Sequence, residues 1–423
     1  MQAVSSFWRP AMEADTLTIV AFGEIYAPLG SGTGLPVATF PVTGGQATID
    51  ATNAVRRSLS SVLLVPAPFD RYSLPVPVSG IDALFPDGAE LALYKGCLYP
   101  SSPAYSGAPM LTLPWLNGGV PTAGEVVSLG RFLMEDVEIY NAPTSGAVTV
   151  QLNGSDRAAT VTRAQFQAPY STDGVSTLDV QIRALLSGQV AGLSYNFSPG
   201  GGTFPVPAMQ TFQVGGDPWA AACQIAASVG YELFFDAFGV CVMRPLIDPT
   251  STAPSMAYED GASNIVTDVQ RSLVNTGVPN LVIVISQGSN VGAPIQSVWW
   301  DSNPSSPTFY NSTAPTIGTS STVPPKMGTY PTTQITDTGS TATTQADNDA
   351  AARALFLASH GRFETLDLKI RDNPAQDVED VISVASADAG IAAGSNYVLD
   401  TITIGLDYST EEELKGRLVV AAS

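Results

Sequence analysis

The side chains that could perform catalysis are few, and the single histidine comes first among them. His360 is the only histidine in the chain, so it is the one candidate base for a Ser-His-Asp or Cys-His arrangement. No serine lies in a Gly-x-Ser-x-Gly elbow. His360 falls in the last turn of a predicted helix, where a positive charge faces the negative end of the helix dipole. We therefore expect His360 to be structural.

The cysteines and the glycine-rich or acidic loops indicate no metal and no cofactor. Cys97, Cys223 and Cys241 fit no zinc-ligand spacing. Cys223 falls on an apolar helix face and Cys241 in an apolar strand, so we expect both to be buried. Their odd number gives no disulfide framework, which favours folding in a reducing cytoplasm. The three glycines at residues 200–202 match no phosphate-binding motif, and no Asp-x-Asp-x-Asp-Gly calcium loop is present.

Neighbouring carboxylates are the remaining candidates, because a pair of them can hydrolyse glycosides. The candidates are Glu135 with Asp136, Asp377 with Glu379 and Asp380, and the three glutamates 411–413. Alternating acids are typical of the solvent face of a strand, and acids that follow a Ser-Thr pair are typical of a turn or surface. We expect none of these carboxylates to be catalytic. The sequence therefore predicts a protein that is not an enzyme.

Two adjacent tryptophans, Trp299 and Trp300, lie beside a Pro-rich segment. Such a pair could bind a sugar or anchor a protein partner. Anchoring is the favoured hypothesis, because tryptophan is common among the residues that dominate protein interfaces.

The composition favours loop-rich β structure within an assembly. Charged residues are 13% of the 423 residues, about half of the usual share of roughly 25%, while Gly (38) and Pro (32) are abundant. Low charge suits a surface that partners cover. The net charge is −20, with 18 Lys and Arg against 38 Asp and Glu, which argues against tight binding of nucleic acid. We expect no signal peptide and no integral membrane segment, since the longest aliphatic run is residues 281–285.

Three regions that differ in pattern must position these residues. Residues 1–155 are predicted to form a β-barrel or sandwich, with a loop at 99–120 and a bulge within 132–140. Residues 156–259 are predicted to form an α+β unit. It has a helix at 176–186 that ends at Gly188, and a second helix between Asp217, its N-cap, and Gly230. A β-hairpin at 231–244 follows. The predicted strands of the first region are 16–22, 46–50, 89–94, 125–127, 132–140 and 147–152.

The third region, residues 260–423, returns to β structure. A buried strand is predicted at 280–286, then a long loop rich in Ser, Thr and Pro at 290–344, whose length is unusual inside a compact domain. A helix follows at 347–360. The predicted strands after it are 364–370, 380–385, 397–404 and 414–420. The fold class is therefore mainly β, with two β-barrel domains separated by a small helix-hairpin domain.

Several segments of the chain resemble bacteriophage tail proteins. Four N-terminal segments are similar to minor tail proteins of actinobacteriophages: residues 46–57 (QATIDATNAVRR), 85–96 (FPDGAELALYKG), 127–132 (VSLGRF) and 153–157 (NGSDR). Residues 225–245 resemble the helix-hairpin element of phage baseplate hub proteins. Residues 350–402, with DVISV at 380–384 and YVLDTI at 397–402, are similar to the last barrel of those hubs.

The resemblance implies a two-barrel hub of a tail tip. Contractile and non-contractile tails use similar hubs, and the actinobacteriophage resemblance favours the non-contractile, siphovirus type. Such hubs form homotrimers whose six barrels make a ring between the sixfold tail tube and a threefold spike or fibre. The implied partners are a distal tail protein or tube ring, the tape-measure protein, and the spike or fibre. DNA would pass through the lumen without specific binding, and the protein would be assembled in the host cytoplasm. Alternatives are a distal-tail or receptor-binding protein and, less favoured, a cell-wall hydrolase.

Overall fold

The fold is described on a computed structural model of the chain. The structure describes residues 1–14, 18–29, 34–64, 88–100, 105–113, 120–142, 147–260, 265–274, 278–286, 293–303, 306, 308–310, 334–407 and 411–420.

The first six long strands form a closed ring of antiparallel pairs. Their bounds are β1 (Thr18–Tyr26), β2 (Ala38–Asp50), β3 (Arg57–Leu64), β4 (Glu90–Leu98), β6 (Thr122–Ala142) and β7 (Ala147–Asp156). A short helix, α1 (Trp8–Met12), precedes them, and a two-residue strand, β5 (Met110–Leu111), pairs with β6. The order is β1-β4-β6-β7-β3-β2, and β2 pairs again with β1. This closure makes the N-terminal region a six-stranded barrel.

The longest strand of the barrel, β6, differs from its prediction in one respect. The sequence predicts two strands at 125–127 and 132–140, but the structure joins them, because β4 pairs with both parts across a register shift opposite Leu129. The predicted bulge is confirmed: the register with β7 shifts between Met134 and Asp136. An inserted residue of this kind bends a strand, which suits a strand of 21 residues that follows the curve of a barrel.

Six further strands form a second curved sheet that is continuous with the first. They are β13 (Met256–Glu259), β14 (Val266–Leu273), β18 (Glu364–Arg371), β19 (Val381–Ser386), β20 (Ile391–Gly405) and β21 (Glu411–Leu418). The order is β14-β18-β21-β20-β19-β13, and β2 of the barrel pairs with β20. Only residues 260–265 separate β13 from β14 in sequence, so the two ends of the sheet must approach each other.

Apolar side chains from both sheets form one continuous core. Leu91 and Phe132 of the barrel belong to the same buried cluster as Leu366, Tyr397 and Ile402 of the second sheet. The alternation of buried and exposed positions along these strands places one face of each strand in this core. The second sheet therefore folds against the barrel as well as on itself.

The α+β unit lies between the two sheets in sequence and has its own core. Its helices are α2 (Arg157–Arg163), α3 (Leu178–Ser187) and α4 (Pro218–Ala227), and its strands are β8 (Tyr170–Ser171), β9 (Tyr195–Phe197), β10 (Thr211–Phe212), β11 (Tyr231–Phe235) and β12 (Cys241–Pro245). Strands β11 and β12 form the predicted hairpin, and β9 adds in parallel to β12. The predicted capping of α4 is confirmed, because Asp217 accepts a hydrogen bond from the Trp219 amide and Gly230 has φ of +83°. Gly188 ends α3 in the right-handed region instead, with φ of −71°.

A small three-stranded sheet covered by one helix completes the fold. Its members are β15 (Leu281–Ser286), β16 (Ile295–Trp300), β17 (Gln334–Ser340) and α5 (Gln345–Ser359). The prediction of one loop at 290–344 is wrong at residues 295–300 and 334–340, which pair with β15 on its two sides. The middle of that predicted loop, residues 311–333, lies outside the described residues. In the described part of the chain, the helices are too short or too polar to span a membrane.

The prediction of mainly β structure with an α+β insert is confirmed. The domain boundaries after residues 155 and 259 stay a prediction, because the β2–β20 pairing and the common core join the two outer regions into one sheet.

Candidate functional site

The single histidine lies in a structural environment. His360 is buried, its ring stacks on Phe356 with centroids 4.5 Å apart, and Nε2 lies 3.1 Å from both Asp301 Oδ2 and Thr308 Oγ1. The Thr308 hydroxyl donates to the Asp301 carboxylate at 2.6 Å. Burial acts to raise the pKa of Asp301, but the hydrogen bonds from His360, Ser306 and Thr308 outweigh it and hold that pKa below its usual range. The threonine proton is thus held by a carboxylate, not by the imidazole that would have to remove it.

The cysteines are equally unsuited to chemistry. Cys97 and Cys241 are buried and Cys223 is half-buried. Burial raises the pKa of Cys97 and of Cys223 to about 12, and it raises that of Cys241 further. All three are therefore thiols at neutral pH, and the thiolate is the reactive form. Among the described residues, no group of three or more His, Cys, Asp or Glu side chains is placed to hold a metal ion.

The adjacent tryptophans pack inside the small sheet. Trp299 and Trp300 are neighbours on β16, so their side chains point to opposite faces. Trp299 packs with α5 and the Arg353 guanidinium lies 5.9 Å from its ring centroid, while Trp300 packs with Leu281 and Tyr310. Both are only partly exposed. The hypothesis that this pair anchors a protein partner stays a prediction.

The carboxylate candidates do not converge on one cleft. Glu135 pairs with Arg163 at 2.7 Å on the outside of the barrel. The carboxylates of the other two groups make contacts within the folded chain. The expectation that glutamates 411–413 lie at a turn or surface is wrong for Glu412, which is fully buried. Asp377, Glu379 and Asp380 each form an ion pair.

Those ion pairs belong to a junction where the barrel, the α+β unit and the second sheet meet. Four side chains from the three regions alternate in charge there. Arg56 Nη2 lies 3.0 Å from both Glu232 Oε2 and Glu379 Oε1, while Arg244 contacts Glu232 at 2.5 Å and Glu379 at 2.6 Å. The ring of Phe234 lies under both guanidiniums, 4.2 Å from Arg56 and 5.1 Å from Arg244.

The two glutamates of this junction differ in their affinity for protons. Burial, opposed by Arg56 and reinforced by the neighbouring Glu232 carboxylate, raises the pKa of Glu379 to about 7. For Glu232, burial also acts to raise the pKa, but the bond to Glu379 and the charges of Arg56 and Arg244 hold it below its usual range. Glu379 has φ of +68°, an uncommon value for a residue with a side chain, so the surrounding contacts must hold its backbone.

Two further buried cations fix the barrel to the second sheet. Arg57 donates to the Leu129 carbonyl at 2.9 Å and to Asp377 at 2.7 Å. Lys95 is fully buried, donates to the Gly405 carbonyl at 2.6 Å and lies 2.7 Å from Asp372 Oδ1. Breaking a buried pair by removing one partner costs about 3–5 kcal/mol. These contacts therefore define the relative position of the two sheets.

A cleft opens beside the alternating charges. Its larger part has a volume of about 680 Å³ and is lined by small and apolar side chains of α4, α5 and the turn between β2 and β3. A smaller cavity of about 280 Å³ adjoins it and is lined by Arg56, Arg362, Glu379, Asp400 and Arg417. The two share Ala51, Thr52, Arg56, Leu246 and Ala358.

The sequence does not predict that these junction residues come together. Asp377 and Glu379 are among the acidic candidates of the sequence analysis, but their basic partners lie in other regions of the chain. Four junction residues do lie in segments that the resemblance singles out. Arg56 and Arg57 lie in the turn at residues 51–57, and Glu232 and Arg244 lie in the hairpin at residues 231–245.

The comparisons with known proteins concern the fold. Neither a protein-family model nor a curated protein sequence matches the chain. Among solved structures, the tail protein from Neisseria meningitidis MC58 matches 95% of this chain and 96% of its own, at 12% identity and a TM-score of 0.56. The 43 kDa tail protein of prophage MuSo2 from Shewanella oneidensis matches over 94% and 98%, at 11% identity and a TM-score of 0.52.

A third match comes from a protein complex. A chain of the Francisella PdpA-VgrG complex, in the half-lidded form, matches 96% of this chain and 59% of its own, at 8% identity and a TM-score of 0.52. At these identities the likeness concerns the fold alone. The chain therefore has the fold found in phage and prophage tail proteins and in a chain of a VgrG complex.

Proposed function

We propose that this chain is a structural component of a phage-type tail, the homotrimeric hub at its tip. The observation that carries the proposal is the match in fold, over more than 90% of both chains, to two tail proteins.

The two linked sheets support the hub over other tail parts. Each chain has two six-stranded sheets joined through β2 and β20. Three copies would therefore supply six sheets around a threefold axis. Such a ring can face a sixfold tail tube or distal tail protein on one side and a threefold spike or fibre on the other. Closed rings of this kind also cover strand edges that would otherwise pair unspecifically.

The charge supports a channel through which DNA passes unbound. A trimer has a formal charge of about −60, three times −20, and negative charge repels the phosphate backbone. The tape-measure protein would occupy the lumen before DNA. The siphovirus type and assembly in the host cytoplasm belong to the same proposal.

The proposed role is not enzymatic. The imidazole of His360 lies between Asp301 and Thr308 in the interior, and the thiols are buried or half-buried with raised pKa values. The candidate carboxylates form ion pairs within the chain. Clearing of cell-wall material in a zymogram would contradict this part of the proposal.

Electron microscopy of intact tails tests the proposal directly. Antibody raised against this chain should label the tail tip, and label along the tube would contradict a hub. Light scattering of the purified chain should give about 132 kDa, three times 44.0 kDa. A stable monomer at micromolar concentration would contradict the homotrimer.

A further inference from the structure

The smaller cavity at the junction has a volume of about 280 Å³. The positive charge of the arginines that line it is not fully neutralised by the carboxylates of its wall. Three guanidiniums line it, those of Arg56, Arg362 and Arg417. Glu379 is already bound by Arg56 and Arg244, and Asp400 is bound by Arg417. Arg362 adds a charge for which the cavity wall offers no carboxylate.

The excess is unusual in this acidic chain. Basic side chains in the described residues are otherwise engaged by a carboxylate, a carbonyl or an aromatic ring, and the Arg362 side chain has no such contact there. With 18 basic residues against 38 acidic ones, an unneutralised cation is the rarer feature of the surface.

The position of Arg362 is fixed by its neighbour. Gly361 has φ of +88°, and a Cβ on it would lie 2.2 Å from the Leu418 carbonyl oxygen. Only glycine fits so close to β21 in this conformation. The link from α5 to β18 therefore packs on β21 beside Arg417, and it holds two like charges near one cavity.

The electrostatic effect of that approach is visible on Arg417. Burial, and after it the nearby charge of Arg362, lower the pKa of Arg417 to about 10. Arg417 stays charged at neutral pH and keeps its ion pair with Asp400. A negative group between the two guanidiniums would remove the repulsion.

We propose that the smaller cavity binds a carboxylate from a protein partner between Arg362 and Arg417. Guanidiniums bind carboxylates in a bidentate manner. Leu246, Ile247 and Val398 also line the cavity, which suits the methylene stem of an aspartate or glutamate. The volume admits one side chain and not a duplex, and the net charge opposes nucleic acid. Only the identity of the partner, a neighbouring tail subunit, rests on the proposed function.

Calorimetry with succinate as the probe tests the site on the purified chain. At low ionic strength we expect wild type to bind succinate with a Kd on the order of 1 mM and to ignore succinamide, its neutral analogue. Arg362→Gln should bind about tenfold more weakly, whereas Arg362→Lys should keep part of the affinity. Arg163→Gln, which also removes an exposed arginine, should bind as wild type does. Arg362 is exposed, so its replacement leaves the fold intact.

Three results would overturn the inference. They are equal binding of succinate and succinamide by wild type, equal affinity of wild type and Arg362→Gln, and Arg362-dependent binding of inorganic phosphate without binding of succinate. None of these measurements needs a tail. If the antibody does not label the tail tip but the chain still binds succinate, the proposed function is therefore contradicted and the carboxylate site is not.

Discussion

The two six-stranded sheets differ in how they end. In the N-terminal barrel, β1 pairs with β2, so each strand of the ring has a neighbour on both sides. In the second sheet, β13 and β14 each have one strand partner among the described residues. A closed ring satisfies its own backbone hydrogen bonds, whereas an open sheet leaves two edges that must be covered or paired.

The second sheet is completed by contacts from the rest of the chain. Trp8 Nε1, in the N-terminal helix, donates to Asn373 at 3.0 Å, and Lys95 of the barrel reaches Asp372 and Gly405. Within the second sheet itself, Arg271 on β14 donates to the Gly390 carbonyl in the turn after β19. The difference teaches that the barrel closes through its own strands, whereas the second sheet also has buried contacts with the barrel and the N-terminal helix.

The largest effect is expected from Lys95→Met. This change leaves the Asp372 carboxylate buried without its cation, so we expect the free energy of unfolding to fall by about 3–5 kcal/mol. Urea denaturation measures it. Replacing both partners, as Lys95→Met with Asp372→Asn, should recover part of the loss, because neither partner is then left as an unpaired buried charge.

A matched lysine serves as the control for that experiment. Lys369→Met removes an exposed lysine whose Nζ lies 3.9 Å from Asp268, and we expect a change below about 0.5 kcal/mol. A similar loss in both variants would mean that the buried contact between the barrel and the second sheet contributes no more to stability than an exposed ion pair does.

The pH dependence of stability should report on Glu412, which lies next to the Lys95–Asp372 ion pair. Burial, and after it the neighbouring Asp372 carboxylate, raise the pKa of Glu412 to about 8. The folded chain therefore keeps a proton that the unfolded chain releases above about pH 4.3. Stability is fully present below that pH and is lost as the pH rises through 8. Between pH 6 and 8.5 we expect a loss of about 2–3 kcal/mol.

Denaturation of Glu412→Gln over the same pH range isolates this residue. Glutamine mimics the protonated acid, so most of the slope should disappear. A residual slope below pH 7 is expected from Glu379, whose pKa is raised to about 7. Glu232 and Glu364, whose pKa values are lowered, act only in more acidic solution. An unchanged slope in the variant would show that Glu412 is not the group that titrates.

A pair of glycines compares the closed and open sheets directly. A Cβ on Gly96 would lie 2.1 Å from the Glu125 carbonyl oxygen in the barrel, and one on Gly416 would lie 2.6 Å from that of Val398 in the second sheet. The ring cannot widen at one strand alone, whereas the second sheet, whose end strands β13 and β14 each have one partner among the described residues, can shift. We expect Gly96→Ala to cost about 2 kcal/mol and Gly416→Ala about 1 kcal/mol, by urea denaturation. The reverse order would contradict the comparison.

The sequence predicts the local elements well where capping and turn residues mark them. Asp217, Pro218 and Gly230 delimit α4 to within a few residues, because they act on the backbone next to them. Strands β16 and β17 are missed. Their surroundings are rich in Ser, Thr and Pro, and their partner β15 is separated from β17 by a long stretch of chain.

The junction could not be predicted in the same way. Glu412 stands among other glutamates and has the pattern of a solvent face, yet its burial follows from the packing of β21 beside Asp372 and Asn373. The same holds for Arg56 and Glu379, which are joined only when three regions meet. A sequence pattern records which face of one element is apolar, but it does not record which charged residue of another element will lie opposite.

The smallest effect is expected where the side chain of Arg271 bridges β14 and the turn after β19. Arg271 contacts Glu364 at 2.7 Å and the Gly390 carbonyl at 3.0 Å, and it is partly exposed. Arg271→Gln should therefore cost only about 1 kcal/mol. Hydrogen exchange locates the loss: amides of β14 should exchange faster, while those of β1 and β2 in the closed barrel stay unchanged. Lys415→Gln removes an exposed cation of the same sheet away from the opening and should leave β14 unaltered. Equal acceleration in the barrel would mean that the two sheets open as one unit, and the contrast between them would then concern pairing alone and not stability.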